Sequence, residues 1–142
     1  MKLVDANVLV NAANADAREH ASARKWIEAA FLGTEPIGLA WIVLLAFIRV
    51  STRRGLLVRP VTIADAFRLV EDWLSAHNAV VVHPGEDHTA ILRGLLEPLG
   101  TAGDLTSDAH LAALAIEHGA ELVSFDRDFN RFEGLRTVIL KA

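Results

Sequence analysis

Lys2-Leu3-Val4-Asp5-Ala6-Asn7 opens the chain, and Leu122-Val123-Ser124-Phe125-Asp126 lies near its end; each is a short apolar run that closes on an acid. Runs of this length bounded by polar residues fit buried strands. Strands that alternate with helices pair in parallel, and open sheets of that kind carry their sites at the carboxyl edge. Side by side, these two strands would deliver Asp5 and Asp126 to the same edge. Reading them as neighbours therefore fixes both the fold class and the place to look for chemistry.

Working outward, the intervening sequence supplies the helices and the remaining strands. Asn7 to Ala13 reads as a loop or a turn of helix. Asp16, with Glu19 three residues on, resembles a capping box for a helix to about Phe31 that Gly33 ends. Pro36 precedes a short strand, Ile37 to Leu39, and Trp41 to Thr52 is a strongly apolar helix stopped by Gly55 and Pro60. Thr62, with Asp65 at its third position, opens a helix whose Ile63, Ala66, Phe67, Val70, Trp73 and Leu74 recur at helical spacing as a stripe facing the core. Ala79 to Val82 reads as a strand covered on both faces. A helix from about Glu86 to Leu96 follows, then a loop with Pro98, Gly100 and Gly103. The next helix carries Leu105, Leu111, Leu114 and Ile116 and ends at Gly119. Strands Glu121 to Phe125 and Thr137 to Leu140 complete a central, mostly parallel sheet of four or five strands inside a three-layer α/β/α domain over residues 1–142.

Composition narrows the classes. At 142 residues with 52% hydrophobic and 23% charged, the chain can bury a real core. No apolar run approaches the roughly 20 residues that span a bilayer; Ile37 to Ile48 stops at Arg49. Asp5, Asn7 and Asn11 interrupt any signal-peptide core, and the absence of cysteine excludes disulfides and thiolate metal sites, so a cytoplasmic location without membrane attachment is expected. The net charge of −4 argues against nucleic-acid binding until its placement is considered. Between Glu35 and Asp65 there is no acid, but there are Arg49, Arg53, Arg54 and Arg59. The ordinary reading of these arginines is a solvated helix end favoured by the helix dipole.

Asp104, Asp108, Asp126 and Asp128 crowd the last third. Each acid has a local explanation: Asp5 and Asn7 in an Asx turn, Asp104 or Asp108 as a helix cap, Asp126 and Asp128 shaping the turn before Phe129. Together they suggest another role, because oxygen-rich clusters with few carboxylates suit a hard divalent cation that keeps water and substrate phosphate as further ligands. Asp104 and Asp108, read on one helix, would share a face.

Asp5-Ala6-Asn7, Ser107-Asp108-Ala109-His110-Leu111-Ala112-Ala113 and Ser124-Phe125-Asp126-Arg127-Asp128-Phe129, in that order and spacing, resemble the PIN-domain family, and within it the VapC-type toxins of prokaryotic toxin–antitoxin pairs. The resemblance covers essentially the whole chain. It implies a Mg²⁺- or Mn²⁺-dependent endoribonuclease, commonly dimeric, inhibited by a small cognate antitoxin whose tail covers the site. Asp5, Asp108 and Asp126 match the family's acids, and Asn7 and Ser124 the polar residues beside them. The family's glutamate on the helix after the second strand is missing: Ala46 stands there. Either fewer carboxylates suffice, or Asp104 or Asp128 supplies the charge, or activity is weakened.

The expected reaction is hydrolysis of an RNA phosphodiester by a metal-activated water, with Asp5, Asp108 and Asp126 as metal ligands and Asp104 reaching the ion through water. Asn7 would orient Asp5, Ser124 would hydrogen-bond a carboxylate or the phosphate, and Arg49, Arg53 and Arg54 would bind flanking phosphates. A phosphotransferase fits poorly: it wants an acid at Asn7 and a lysine near the late strands, where none precedes Lys141. A catalytically weakened module that binds RNA or a partner is the alternative, with Ala46 as its support. The histidines show no metal-binding spacing, and His110 projects about 160° from Asp108. Trp26, Trp41 and Trp73 read as core residues, with an antitoxin groove lined by one of them as the alternative.

Overall fold

A computed structural model describes residues 1–142. The strands are β1 (Lys2–Val4), β2 (Ile37–Leu39), β3 (Ala79–Val81), β4 (Glu121–Ser124) and β5 (Thr137–Ile139). The helices are α1 (Ala6–Ala13), α2 (His20–Leu32), α3 (Trp41–Thr52), α4 (Ile63–Ser75), α5 (His88–Leu96) and α6 (Thr106–Glu117). All five strands are parallel, in the order β3-β2-β1-β4-β5. The chain thus winds outward from β1 to β3, then crosses back to place β4 on the other side of β1. Right-handed crossovers put the helices of the first half on one face and α5 and α6 on the other. The packing agrees: α1 contacts α2 and α3, α3 contacts α4, and α5 contacts α6.

One continuous core runs through the sheet, from Leu3, Val4, Leu122 and Val123 in the central strands to Phe47 on α3 and Leu114 on α6. Gly38 in β2 is there for space: a Cβ would come within 3.1 Å of Leu3 Cδ1 and 3.3 Å of Val82 Cγ1. On α6, Ala109, Ala112, Ala113 and Ala115 are buried, and their short side chains let the helix lie close to the sheet. The helix closes at Gly119, whose φ of 62° is the left-handed geometry that glycine adopts without strain.

Several local expectations are corrected. Asn7 to Ala13 belongs to a two-turn helix, because the Asp5 carboxylate caps it by accepting from the Ala6 N–H at 2.7 Å. Asp16 caps nothing: α2 begins at His20, and Asp16 is engaged in a bidentate ion pair with Arg59 at 2.9 and 3.1 Å. This pair draws the Asp16 carboxyl below its usual value. It also removes Arg59 from the set of free arginines. β3 is an edge strand with Val80 39% exposed, since nothing pairs beyond it. Trp73 is buried against Phe47 with ring centroids 4.9 Å apart, whereas Trp41 is 46% exposed, and on α4 Ile63 and Phe67 are exposed while Ala66 and Val70 face the core. α3 is apolar almost all round, so its sequence does not tell which side faces solvent.

Candidate active site

Where the strand order reverses, between β1 and β4, parallel sheets open a crevice at their carboxyl edge. The Asp5 N–H donates to Val123 O at 2.9 Å, so the two strands end level and their next residues share that crevice. Asp5 emerges from β1, Ser124 ends β4, and Asp126 follows as the cap of a 3-10 turn, Arg127–Arg131, accepting from the Asp128 N–H at 2.8 Å. Asp108 enters from the first turn of α6, where a helix N-terminus favours an anion.

Ser124 organises the centre. Its buried hydroxyl donates its one proton to Asp5 Oδ2 at 2.6 Å and accepts from Asn7 Nδ2 at 3.0 Å and the Asp126 N–H at 2.9 Å. One donor and two lone pairs are then all used. Ser124 is thereby committed to a carboxylate and has no bond left for a phosphate. Asn7 touches Asp5 only through Ser124, and its Oδ1 accepts from the Phe125 N–H at 3.2 Å. The amide ties the start of α1 to the end of β4.

The carboxylates repel one another in a partly desolvated crevice. Burial, then the charges of Asp108 and Asp126, push Asp5 up from 3.8 to about 6 against the opposing hydrogen bonds from Ser124 and Ala6. Asp108 is raised as well, by burial and by Asp126 and Asp128, with Arg131 opposing. A cavity of about 180 Å³ is walled by Asp5, Ile42, Ala46, Arg49, Ser107 and Asp108. Asp126 stands outside these walls, and its charge acts on both Asp5 and Asp108.

No three acidic or histidine side chains are gathered tightly enough to close a ligand set on one ion. The donors are all carboxylate oxygens, and their mutual repulsion is what a cation relieves. Asp5, Asp108 and Asp126 therefore fit a hard ion that takes few protein ligands and keeps several waters.

Ala46 lines the same cavity as Asp5 and Asp108, so its methyl group forms part of the wall. Asp104 does not take the place of an acid there. It sits exposed on a separate 3-10 turn, Gly103–Leu105, ahead of α6, because the chain kinks there and the shared helix face with Asp108 does not exist. Arg49 lines the cavity, while Arg53 and Arg54 lie exposed beyond the end of α3. Arg131, not singled out from the sequence, is close enough to act on Asp108. Its only sequence signal was a cation three residues after Asp128 and five after Asp126. His110 does point away from the carboxylates. It bonds His88 at 2.8 Å, and His88 in turn faces Glu117 at 3.2 Å, a polar seam between α5 and α6.

The profile of the PIN domain matches residues 2–135. Ribonuclease VapC37 of Mycobacterium tuberculosis is 48% identical over 136 residues, covering 96% of this chain and 94% of the relative. Ribonuclease VapC43 of the same organism is 43% identical over 136 residues, with 96% and 92% covered. Among solved structures, VapBC2 from Rickettsia felis bound to a promoter DNA fragment superposes with a TM-score of 0.71 at 21% identity, covering 99% of this chain and 98% of that one. The Mycobacterium tuberculosis VapC20, a sarcin-ricin loop cleaving toxin, gives 0.65 at 19%, covering 96% and 99%. With its acids assembled at the switch point of an all-parallel sheet and such relatives along its whole length, the chain belongs to the PIN-domain family, in its VapC branch.

Proposed function

We propose that this protein is a Mg²⁺- or Mn²⁺-dependent endoribonuclease, the toxin of a toxin–antitoxin pair. The observation that carries the reading is the convergence of Asp5, Asp108 and Asp126 at one sheet edge, with Asp5 lifted to about 6 by burial and by its neighbours. In this reading the three carboxylates hold the ion. Bound there, a cation would supply an activated water and neutralise charge on the attacked phosphate. Ser124 fixes the rotamer of Asp5, Asn7 fixes Ser124, and Arg49 in the cavity wall holds the phosphate beside the acids. Arg53 and Arg54 lie further along the same end of α3, where a longer RNA strand would run.

A small antitoxin partner is supported by the VapBC complexes among the structural relatives. The chain offers a groove of about 490 Å³ between α1, α2 and α4, floored by Ile27, Leu69 and Trp73 and rimmed by Arg24 and Glu28, which suits an amphipathic segment. A homodimer is supported by the exposed Trp41 and Leu45 on α3, 46% and 58% accessible, since apolar patches of this kind mark interfaces. No helix is long and apolar enough to cross a membrane.

The second reading, a weakened module that binds RNA without cutting it, is favoured by one observation, the Ala46 methyl in the cavity wall. Incubation with a mixed-sequence RNA separates the two. The nuclease yields fragments in Mg²⁺ or Mn²⁺ and none in EDTA; the binding module retards the RNA in a native gel and leaves it whole in both.

A further inference from the structure

Asp128 is neither a cavity wall nor a helix cap, yet it is committed to one partner. Arg131 Nε donates to Asp128 O at 3.0 Å, and Arg131 Nη2 lies 3.3 Å from Asp128 Oδ2. The turn that carries this pair is nailed down by Phe129 and Phe132, both buried, and is joined to the site by the bond from the Asp128 N–H to Asp126 Oδ1. A long side chain on an exposed turn normally samples many rotamers; here one hydrogen bond and one ion pair to the same residue bias it. The hydrogen bond uses the Nε–H alone of the five guanidinium N–H groups, and the ion pair draws Nη2 toward the Asp128 carboxylate. Four remain on the two Nη atoms, on a group whose charge reaches Asp108.

The topology gives this placement its meaning. β2 and β4 flank β1 on opposite sides, so Arg49, on the helix after β2, and Arg131, on the turn after β4, approach Asp5 from opposite sides. We propose that Arg131 is a substrate-contacting residue: aimed by Asp128, its guanidinium binds a phosphate of the RNA strand on the side of the carboxylates away from Arg49. The two arginines then bracket the acids, and a strand laid across the sheet edge meets a cation before and after the scissile bond. A guanidinium fork suits a phosphate oxygen pair better than an ammonium does. The inference rests on the nuclease reading above and deepens it.

The test is binding of a fluorescein-labelled, mixed-sequence single-stranded RNA to the full chain in EDTA, followed by anisotropy at several KCl concentrations. Arg131→Gln, which removes the charge and both Nη atoms but keeps an N–H donor near the Nε position for Asp128 O, should weaken binding about 5–20-fold at low salt. It should also lower the slope of log affinity against log salt by about 0.7, the loss of one phosphate contact. Arg131→Lys should restore the slope but only part of the affinity. A residue that merely holds the turn would lower the melting temperature and leave the slope alone, so an unchanged slope in Arg131→Gln overturns the proposal. If the wild-type chain neither binds nor cleaves RNA, the nuclease reading falls and Arg131 with it. If the wild type does both and Arg131→Gln behaves like it, only the role of Arg131 is lost.

Discussion

Asp5 is where burial, hydrogen bonding and like charge meet. The unfolded chain ionises it near 3.8, while the folded chain holds its proton up to about 6. Between those values the native state binds more protons, so metal-free stability falls as pH rises through the window and levels off above it. The ionised carboxylate then costs up to about 3 kcal/mol. Asp5→Asn removes that cost but has one oxygen to serve both Ala6 and Ser124, losing a bond of roughly 1 kcal/mol. The expected net gain is about 1–2 kcal/mol at pH 8 and none at pH 4, read from urea unfolding midpoints in EDTA; equal stability at both pH values would contradict the charge account. Ser124→Ala acts oppositely. It strands Asn7 Nδ2 and the Asp126 N–H without their acceptor, so it should cost about 1–3 kcal/mol. It should also raise the Asp5 titration further, because the Ser124 bond now holds it down; carboxyl ¹³C shifts against pH measure this.

At the scale of elements, α3 decides how far the site departs from its family. Its bounds, Trp41–Thr52, were legible from the apolar run that ends at Arg49 and from Gly55 and Pro60 beyond it. The side it turns outward was not, because Trp41 and Leu45 are as apolar as Val43 and Leu44. Placing Ala46 in the cavity gives a direct test. Ala46→Glu adds a carboxylate beside Asp5 and Asp108, so it should lower the melting temperature in EDTA and raise Mn²⁺ affinity about 10-fold. Calorimetric titration showing unchanged affinity would mean that the α3 position does not face the ion. α1 and the turn at Asp104 teach the converse lesson. Asp5 and Asn7 look like turn formers because the same side-chain oxygens that make turns also cap helices. Asp104 and Asp108 looked like one helical face until Gly103 and a 3-10 turn separated them.

For the whole molecule, the two acid-tipped strands were enough to read a parallel sheet and a carboxyl-edge site. The resemblance to PIN domains rested on those strand ends together with Ser107 to Ala113 on the late helix. What they could not give was the side-chain wiring. Ser124 as hub, the Arg59–Asp16 clasp and the Arg131–Asp128 pair join residues 43 to 119 positions apart or folded into one turn, and such contacts exist only after the fold brings them together. The net charge of −4 likewise says little about where RNA would lie, since the arginines collect at one end of α3 and beside β4 while the acids gather between them. The central claim is that these acids act through a cation on RNA. Its most direct test is RNA cleavage by wild type and Asp5→Asn, each assayed in EDTA and over a Mn²⁺ titration. The account predicts fragments only from the wild type, rising with Mn²⁺ and abolished by EDTA. Equal cleavage by Asp5→Asn, or wild-type cleavage that persists in EDTA, would contradict it.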